Sequence, residues 1–176
     1  AGPDPVTTVI SSLPADFPVP IVIVQHMPPL FTALFAKRLD NKRSLAVSEA
    51  RADDRLEAGK VLIAPGDFHL RLHSDPLGVV ARLDQGTPEN YCRPAVDVLF
   101  RSAPETFGAG VLGVVLTGMG SDGVRGAARI VDAGGTGLVQ DASTSVGRGI
   151  AGAVARSNTA SDARPPGPVA PPPPPP

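Results

Sequence analysis

The sequence predicts an α/β domain with a mostly parallel β-sheet covered by helices on both faces, and a small antiparallel hairpin. Three observations indicate this fold class. Short apolar segments such as IVIV (21–24) and VLGVVL (111–116) are typical of buried strands. Amphipathic segments alternate with them, as expected when helices connect parallel strands. The segments FHLRLH (68–73) and GVVARL (78–83) flank a turn, which predicts the hairpin.

The first half of the chain yields two helices and three strands from the spacing of its apolar residues. A short helix begins near the N-terminus and ends at Pro14. Strands are predicted at 20–25, 45–50 and 60–65. Between the first two strands, a helix of about ten residues carries the apolar side chains Phe31, Leu34, Phe35 and Leu39.

The second half is predicted to contain three more helices and two strands, at 94–104, 111–116, 123–133, 136–140 and 149–156. A loop at 84–92 leads to Pro94, which we expect at a helix start because a missing N–H costs nothing there. Pro104 is expected to bend or end that helix. Gly134 and Gly135 are expected to stop the next one.

Composition narrows the class of protein. The chain has 176 residues, 16 basic and 17 acidic, with a formal net charge of −1, which fits one domain and does not favour nucleic acid or anionic membranes. The single cysteine, Cys92, excludes an internal disulfide and fits a reducing cytosol. No apolar run reaches the roughly 20 residues that span a bilayer, and no signal-peptide pattern is present. We therefore expect a cytoplasmic protein.

Proline dominates the C-terminal end, where it supplies nine of the last twelve residues. Such a segment cannot bury a core and samples extended polyproline II conformations. We predict a domain at 1–160 and a disordered Pro-rich tail at 161–176. The tail is interpreted as a spacer in preference to a ligand of SH3-like grooves.

Two segments place polar side chains at the ends of predicted strands, which is the working edge of a parallel sheet. His26 follows IVIV and is either a packed histidine that bonds a backbone carbonyl or an imidazole that acts as a general base. The segment LTGMGSDG (116–123) follows a strand and opens a helix. Its glycines suit a sharp turn in which Ser121 or Asp122 caps the helix.

The glycine-rich segment also has two functional interpretations. Gly118, Gly120 and Gly123 match the dinucleotide-binding fingerprint, and Asp141 lies near the position of a ribose-binding acid. A short glycine pattern is weak evidence by itself.

In the second interpretation, Asp122 pairs with His26, fixes its tautomer and stabilises the imidazolium formed during catalysis. Backbone amides near Met119 would donate to an oxyanion. This arrangement requires a serine or cysteine nucleophile at the end of a third strand.

Five blocks carry a resemblance to a known family: QHMPPLFTALFAKRL, IAPGDFHL, CRPAVDVLFRSA, VLTGMGSDGVRGAARIVDAGG and QDASTSV. In this order, across about residues 1–156, they resemble the CheB-type protein-glutamate methylesterase domain. The resemblance implies a three-layer α/β/α fold and a serine–histidine–aspartate triad without metal or organic cofactor. It assigns the histidine to His26, the aspartate to Asp122, and Met119 to the same active-site loop. It therefore favours the paired interpretation over dinucleotide binding.

The resemblance also implies the partners and the reaction. Members of the family hydrolyse glutamate methyl esters and deamidate glutamines on methyl-accepting bacterial chemoreceptors, and a receiver domain in cis or in trans often accompanies them. The usual G-M-P near the cleft is replaced here by Gly149-Ile150-Ala151. A non-catalytic domain that docks receptors is the alternative from another class.

The nucleophile is the missing part of the pattern. Ala1-Gly2-Pro3 resembles the end of the family's serine motif, so the serine and its strand are expected just before Ala1. We therefore expect the 176-residue chain to be inactive or nearly so, and prone to aggregation because a strand of its sheet is missing.

Four other side chains of the sequence carry a hydroxyl or thiol that could replace the serine as nucleophile. Ser11 and Ser12 fall on the first predicted helix, and Ser121 is a turn or cap residue. Cys92 has suitable chemistry, since a thiolate near an imidazole is an activated nucleophile. Nothing in its spacing places it beside His26.

Overall fold

The computed structural model describes residues 4–42, 45–116, 121–140 and 162–164, the backbone alone at 139–140 and 162–164. The α-helices in this part of the chain are α1 (Asp4–Ser12), α2 (Phe31–Asp40), α3 (Val96–Phe107) and α4 (Val124–Asp132). The strands are β1 (Ile21–Ile23), β2 (Ala46–Glu49), β3 (Lys60–Ile63), β4 (His69–Asp75), β5 (Gly78–Asp84), β6 (Leu112–Val115), β7 (Thr136–Gln140) and β8 (Asp162–Arg164). A single 3-10 turn, Gly108–Gly110, follows α3.

The strands form two parallel sheets and one antiparallel pair. The first sheet has the order β1-β3-β2, and the second has the order β6-β7-β8. The hairpin β4-β5 is antiparallel, with His69 opposite Asp84. This mixed α/β fold, mostly parallel with a small antiparallel hairpin, confirms the predicted class.

The central strand of the first sheet, β3, is buried on both faces. Val61 and Ile63 pack with apolar residues of α1 and α2 on one face. Leu62 and Ala64 pack on the other face against the hairpin and α3. Because successive side chains point to opposite faces, a strand covered on both sides is a continuous apolar run, and the three residues of β3 after Lys60 form such a run.

An apolar cavity of about 600 Å³ is lined by both β1 and β6. Among the described residues, β1 pairs with β3 alone and β6 with β7 alone. The lining also includes Val6 and Ile10 of α1, Leu13 directly after that helix, and apolar residues of α3. His26 lies in this lining. We refer to the cavity as the β1–β6 slot.

Two proline predictions for α3 need correction. The helix begins at Val96 rather than Pro94, because its first N–H groups bond to a carboxylate from another segment, as described below. Pro94 instead follows a cis peptide bond. Pro104 does not end the helix, which continues to Phe107 and is packed against β4 and α4. Tertiary packing has overridden the local preference.

The remaining boundaries are close to prediction. The end of α4 has Gly134 at φ +83°, and the N–H groups of Gly134 and Gly135 bond to the carbonyls of Val131 and Ile130. The predicted helix at 149–156 lies outside the described residues. β8 pairs with β7 within the segment assigned to the tail, so the boundary at residue 160 stays a prediction.

No helix among the described residues is long and apolar enough to cross a membrane.

Candidate active site

The loop after β1 carries His26, three residues beyond the strand end. The loop after β3 packs against the His26 loop. In it, the N–H of Gly66 donates to Thr32 Oγ1, in the first turn of α2, over 3.0 Å. The approach is so close that a Cβ on Gly66 would lie 2.4 Å from the backbone nitrogen of Pro29. The His26 side chain is 29% exposed. The loop is therefore fixed by backbone contact while the imidazole remains reachable.

Asp122 follows β6 and is 2% exposed. Its Oδ2 accepts the backbone N–H of Val96 over 2.7 Å, and its Oδ1 accepts that of Asp97 over 2.9 Å. These are first-turn N–H groups of α3, which have no partner inside the helix and which the N-cap residue Ala95 does not satisfy by its side chain. Asp122 thus caps α3 from another segment, where the helix dipole favours a negative charge.

The two side chains meet. His26 Nε2 lies 2.7 Å from Asp122 Oδ2. Burial favours the neutral form of Asp122, but hydrogen bonds from His26 and from the N–H groups of Asp97 and Val96 lower the pKa of its carboxyl below the usual value. An ionised carboxylate only accepts hydrogen bonds, so the imidazole proton is assigned to Nε2. Nδ1 is then the proton-accepting nitrogen.

A second buried carboxylate supports the first. Asp97 is 1% exposed, and its Oδ1 accepts the N–H of Gly126, in the first turn of α4, over 2.7 Å. Asp122, at the start of α4, caps α3, and Asp97, at the start of α3, caps α4. Asn90 Nδ2 donates to both, over 3.0 Å to Asp97 Oδ2 and 3.2 Å to Asp122 Oδ1.

Asn90 reaches both carboxylates from a tight turn. The N–H of Cys92 donates to the carbonyl of Glu89, and that of Glu89 to the carbonyl of Cys92. The central residues Asn90 and Tyr91 have φ values of +51° and +62°, as in a type I′ turn. Arg101 of α3 anchors the turn through two hydrogen bonds to the Glu89 carboxylate, which lower its pKa.

The turn also brings Cys92 to the site. Its Sγ, a ring nitrogen of His26 and a carboxylate oxygen of Asp122 all lie within 4.8 Å of one another. The sequence spacing gave no reason to place Cys92 beside His26, and the turn brings it there by folding the segment before α3 back onto the site. Burial and the nearby Asp122 charge raise the pKa of the thiol. Among the described residues, these three side chains are the group that could hold a metal ion.

Of the other candidates from the sequence, three serines are described and several others fall outside the described residues. Ser11 and Ser12 lie on α1, where Ser12 Oγ donates to the carbonyl of Val9. Ser121 is an exposed turn residue. Met119, like Gly118, Gly120 and Asp141, lies outside the described residues.

Sequence reasoning missed Asn90 and Asp97. A signal for Asp97 was present, since an acid in the first turn of a predicted helix favours capping contacts. Its capping of α4, however, depends on the packing of the two helices. Asn90 was detectable only as a residue that tolerates positive φ.

A reachable histidine paired with a buried aspartate, after two parallel strands, defines an α/β domain with the base and acid of a nucleophile-based hydrolase. A family model described as "CheB methylesterase" matches residues 1–171. The chain belongs to the CheB methylesterase family, as its resemblance predicted.

The most informative relatives agree in name. A protein of Nocardioides sp., 53% identical over 159 residues that cover 90% of this chain and 43% of its own length, is called "Protein-glutamate methylesterase/protein-glutamine glutaminase". A protein of Maricaulis maris with the same name is 49% identical and covers 92% of this chain and 40% of itself. The chain thus spans about two fifths of these relatives.

A solved structure supports the fold. The Thermotoga maritima CheB methylesterase catalytic domain superposes with a TM-score of 0.90 at 41% sequence identity. The match covers 93% of this chain and 87% of that domain. The likeness therefore extends over most of both chains.

Proposed function

We propose that the chain is the catalytic region of a cytoplasmic protein-glutamate methylesterase and glutaminase that acts on methylated chemoreceptors. Family membership and the names of the relatives support the reaction class. The observation that carries the assignment of residues is the 2.7 Å contact between His26 Nε2 and Asp122 Oδ2. A receiver domain, in cis or in trans, would be its regulatory partner.

His26 is proposed as the general base and Asp122 as its positioning residue. With Nε2 bonded to Asp122, Nδ1 accepts the proton of a serine hydroxyl as the serine oxygen attacks the ester carbonyl. The imidazolium returns this proton to the departing methoxide, which leaves as methanol. Water then repeats the sequence on the acyl-enzyme, releasing the glutamate side chain and the serine. With a glutamine substrate, ammonia is the leaving group.

Asp122 is well suited to this role because its charge is stabilised before any substrate binds. The first-turn N–H groups of α3 stabilise the carboxylate and keep it ionised while it holds the imidazole. When His26 takes a proton, the buried negative charge stabilises the resulting imidazolium. Backbone amides near Met119 are proposed to donate to the oxyanion.

The β1–β6 slot supports the expected position of the nucleophile. It is apolar, it is lined by two parallel strands that could each pair with one more neighbour, and it extends to His26. We propose that a strand preceding Ala1 fills it and presents the serine at its carboxyl end. Residues 1–160 would then form the esterase domain without that strand, followed by the Pro-rich tail at 161–176.

The test compares two versions of the protein in an assay of methanol release from a methylated chemoreceptor or a glutamate methyl ester peptide. The version extended upstream of Ala1 is expected to hydrolyse the ester, and the 176-residue chain to be inactive or nearly so. His26→Ala in the extended protein should leave about 10³–10⁴-fold catalysis over water. The control is His73→Gln, since His73 is exposed on β4. Equal activity of His26→Ala and the wild type would contradict the proposal.

Two other functions remain as candidates to exclude. A receptor-docking scaffold would bind the receptor without ester hydrolysis that depends on His26. A dinucleotide-binding module would bind NAD or NADP in calorimetry below millimolar concentration. The buried Asp122 carboxylate, at the start of α4 next to Gly123, argues against the second because it would repel a phosphate.

A further inference from the structure

Three side chains from separate segments converge at the His26 end of the β1–β6 slot. The donor atoms of His26, Cys92 and Asp122 all lie within 4.8 Å of one another. The His26 side chain is 29% exposed, Cys92 is half-buried and Asp122 is buried. The proposed hydrolytic mechanism uses only the imidazole and the carboxylate, so the thiol has no role in it.

Together the donors have the chemistry of a zinc site. Imidazole nitrogen, thiolate sulfur and carboxylate oxygen are all ligands of Zn²⁺, and three protein ligands leave the fourth tetrahedral position to solvent. Bond lengths of about 2.0–2.3 Å place such ligands roughly 3.3–3.6 Å apart. The contact of 2.7 Å between His26 and Asp122 is somewhat shorter than this spacing, and the outer limit of 4.8 Å is longer. Side-chain adjustments of about 1 Å therefore suffice.

The surroundings of Asp122 suit a ligating carboxylate. Its two oxygens are held by the N–H groups of Val96 and Asp97. Each carboxylate oxygen accepts more than one partner, so a cation can replace the His26 proton on Oδ2 while these bonds persist. Hydrogen bonds of this kind orient ligands in metal sites. The sulfur favours Zn²⁺ over Mg²⁺ or Ca²⁺, which prefer oxygen ligands.

We propose that His26, Cys92 and Asp122 bind Zn²⁺, and that the occupied site is catalytically silent. On binding, the thiol proton passes to solvent and the sulfur coordinates as thiolate. Nε2 of His26 binds the metal, and its proton moves to Nδ1. The loss of activity rests on the proposed function, because the displaced proton then occupies Nδ1, the nitrogen that should accept the serine proton. Metal binding itself does not depend on that function.

A catalytic role for the thiol is the competing explanation of its position. The nucleophilic form of cysteine is the thiolate, and the Asp122 carboxylate, within 4.8 Å of the Cys92 sulfur, repels that negative charge. A divalent cation reverses this electrostatic situation, since its charge stabilises the thiolate. The environment therefore suits a metal ligand better than a nucleophile.

Cobalt substitution tests the binding directly. The purified protein is titrated with Co²⁺, which reports a bound thiolate by a sulfur-to-cobalt charge-transfer absorption. Cys92 is the only cysteine, so the absorption has one possible source within a chain. We expect saturation at about one Co²⁺ per chain and displacement by Zn²⁺ but not by Mg²⁺. Cys92→Ser should abolish the absorption, and His26→Ala should weaken binding at least about tenfold.

The matched control is His73→Gln, which removes an exposed histidine on β4 and should leave the titration unchanged. The proposal is overturned if no thiolate absorption develops below about 1 mM Co²⁺. It is also overturned if the absorption persists in His26→Ala with one Co²⁺ shared by two chains, because the ligands would then be cysteines of two copies.

An activity measurement tests the consequence. In protein that hydrolyses the methyl ester, Zn²⁺ should inhibit and a chelator should restore the rate. Cys92→Ser, compared with its own metal-free rate, should be at least about tenfold less sensitive. Equal sensitivity of both proteins would overturn the inhibitory role. In the version extended upstream of Ala1, cobalt absorption without any hydrolysis would uphold the metal site and reject the proposed function, and hydrolysis without the absorption would do the reverse.

Discussion

Asp97 and Asp122 are two buried carboxylates in nearly the same environment. Each lies near the start of one helix and caps the other, and both accept a hydrogen bond from Asn90. They differ in two respects: Asp122 accepts two backbone N–H groups where Asp97 accepts one, and of the two only Asp122 touches an imidazole. Both aspartates join α3 to α4, and Asp122 also orients His26. Burial is nearly equal at the two residues, so it does not distinguish the structural role from the catalytic one.

Two histidines, His69 and His26, differ in a similar way. His69 is 1% exposed and uses both ring nitrogens on backbone groups, since it accepts the N–H of Ala95 and bonds the carbonyl of Thr87. His26 uses Nε2 on Asp122 and is partly exposed. Of these two histidines, His26 is thus the one with a ring nitrogen, Nδ1, that can accept a proton. A histidine satisfied at both nitrogens is structural.

The largest expected difference is between the amide variants of the two aspartates. Asp122→Asn should lower kcat by about 10⁴-fold in the version extended upstream of Ala1, because an amide no longer fixes the tautomer or stabilises the imidazolium. Asp97→Asn should lower kcat by no more than about tenfold, since it leaves the His26 contact in place. The measurement is kcat for methyl ester hydrolysis. Similar losses in the two variants would show that the shared capping network, and not the imidazole contact, sets the rate.

A smaller effect is expected when the His26 loop is moved without altering either aspartate. Gly66→Ala places a Cβ against the backbone of Pro29, so the loop must shift. A displacement of this kind should cost about 10²-fold in kcat and about 1–3 kcal/mol in unfolding free energy. The control is Gly110→Ala, where a Cβ would meet nothing within 4 Å. Normal kcat in Gly66→Ala would mean that the loop tolerates displacement, and that the Asp122 contact alone positions His26.

The sequence predicted the architecture well because its strands are short, apolar and clearly separated. KVLI and the FHLRLH–GVVARL pair are set by local pattern, and the structure has strands there. The sequence blocks around His26 and Asp122 also predicted that both residues follow strands, and the structure has β1 and β6 before them. The contacts of Asp97 and Cys92 could not be predicted in this way. They depend on the approach of α3 and α4 and on the turn at Asn90, which no periodicity encodes.

The smallest effect concerns the pH dependence of stability. The pKa of Asp122 is lowered in the folded protein, despite burial, by His26 and by the N–H groups of Asp97 and Val96. A carboxyl with a depressed folded-state pKa contributes stability above its unfolded-state pKa of about 4, and loses it as the pH falls through the lower folded-state value. Asp122→Asn should therefore be less stable than the wild type by about 1–3 kcal/mol at pH 7.

This difference should shrink below about pH 4, where the wild-type carboxylate takes up a proton. Urea unfolding between pH 7 and pH 3 measures it, with Glu105→Gln, at an exposed helical position, expected within about 0.5 kcal/mol of the wild type. A difference that stays constant to pH 3 would mean that Asp122 stabilises α3 by shape and hydrogen bonding without its charge. Asp122 would then differ from Asp97 in its hydrogen bonds alone, including the contact with His26, and the electrostatic part of the comparison would be lost.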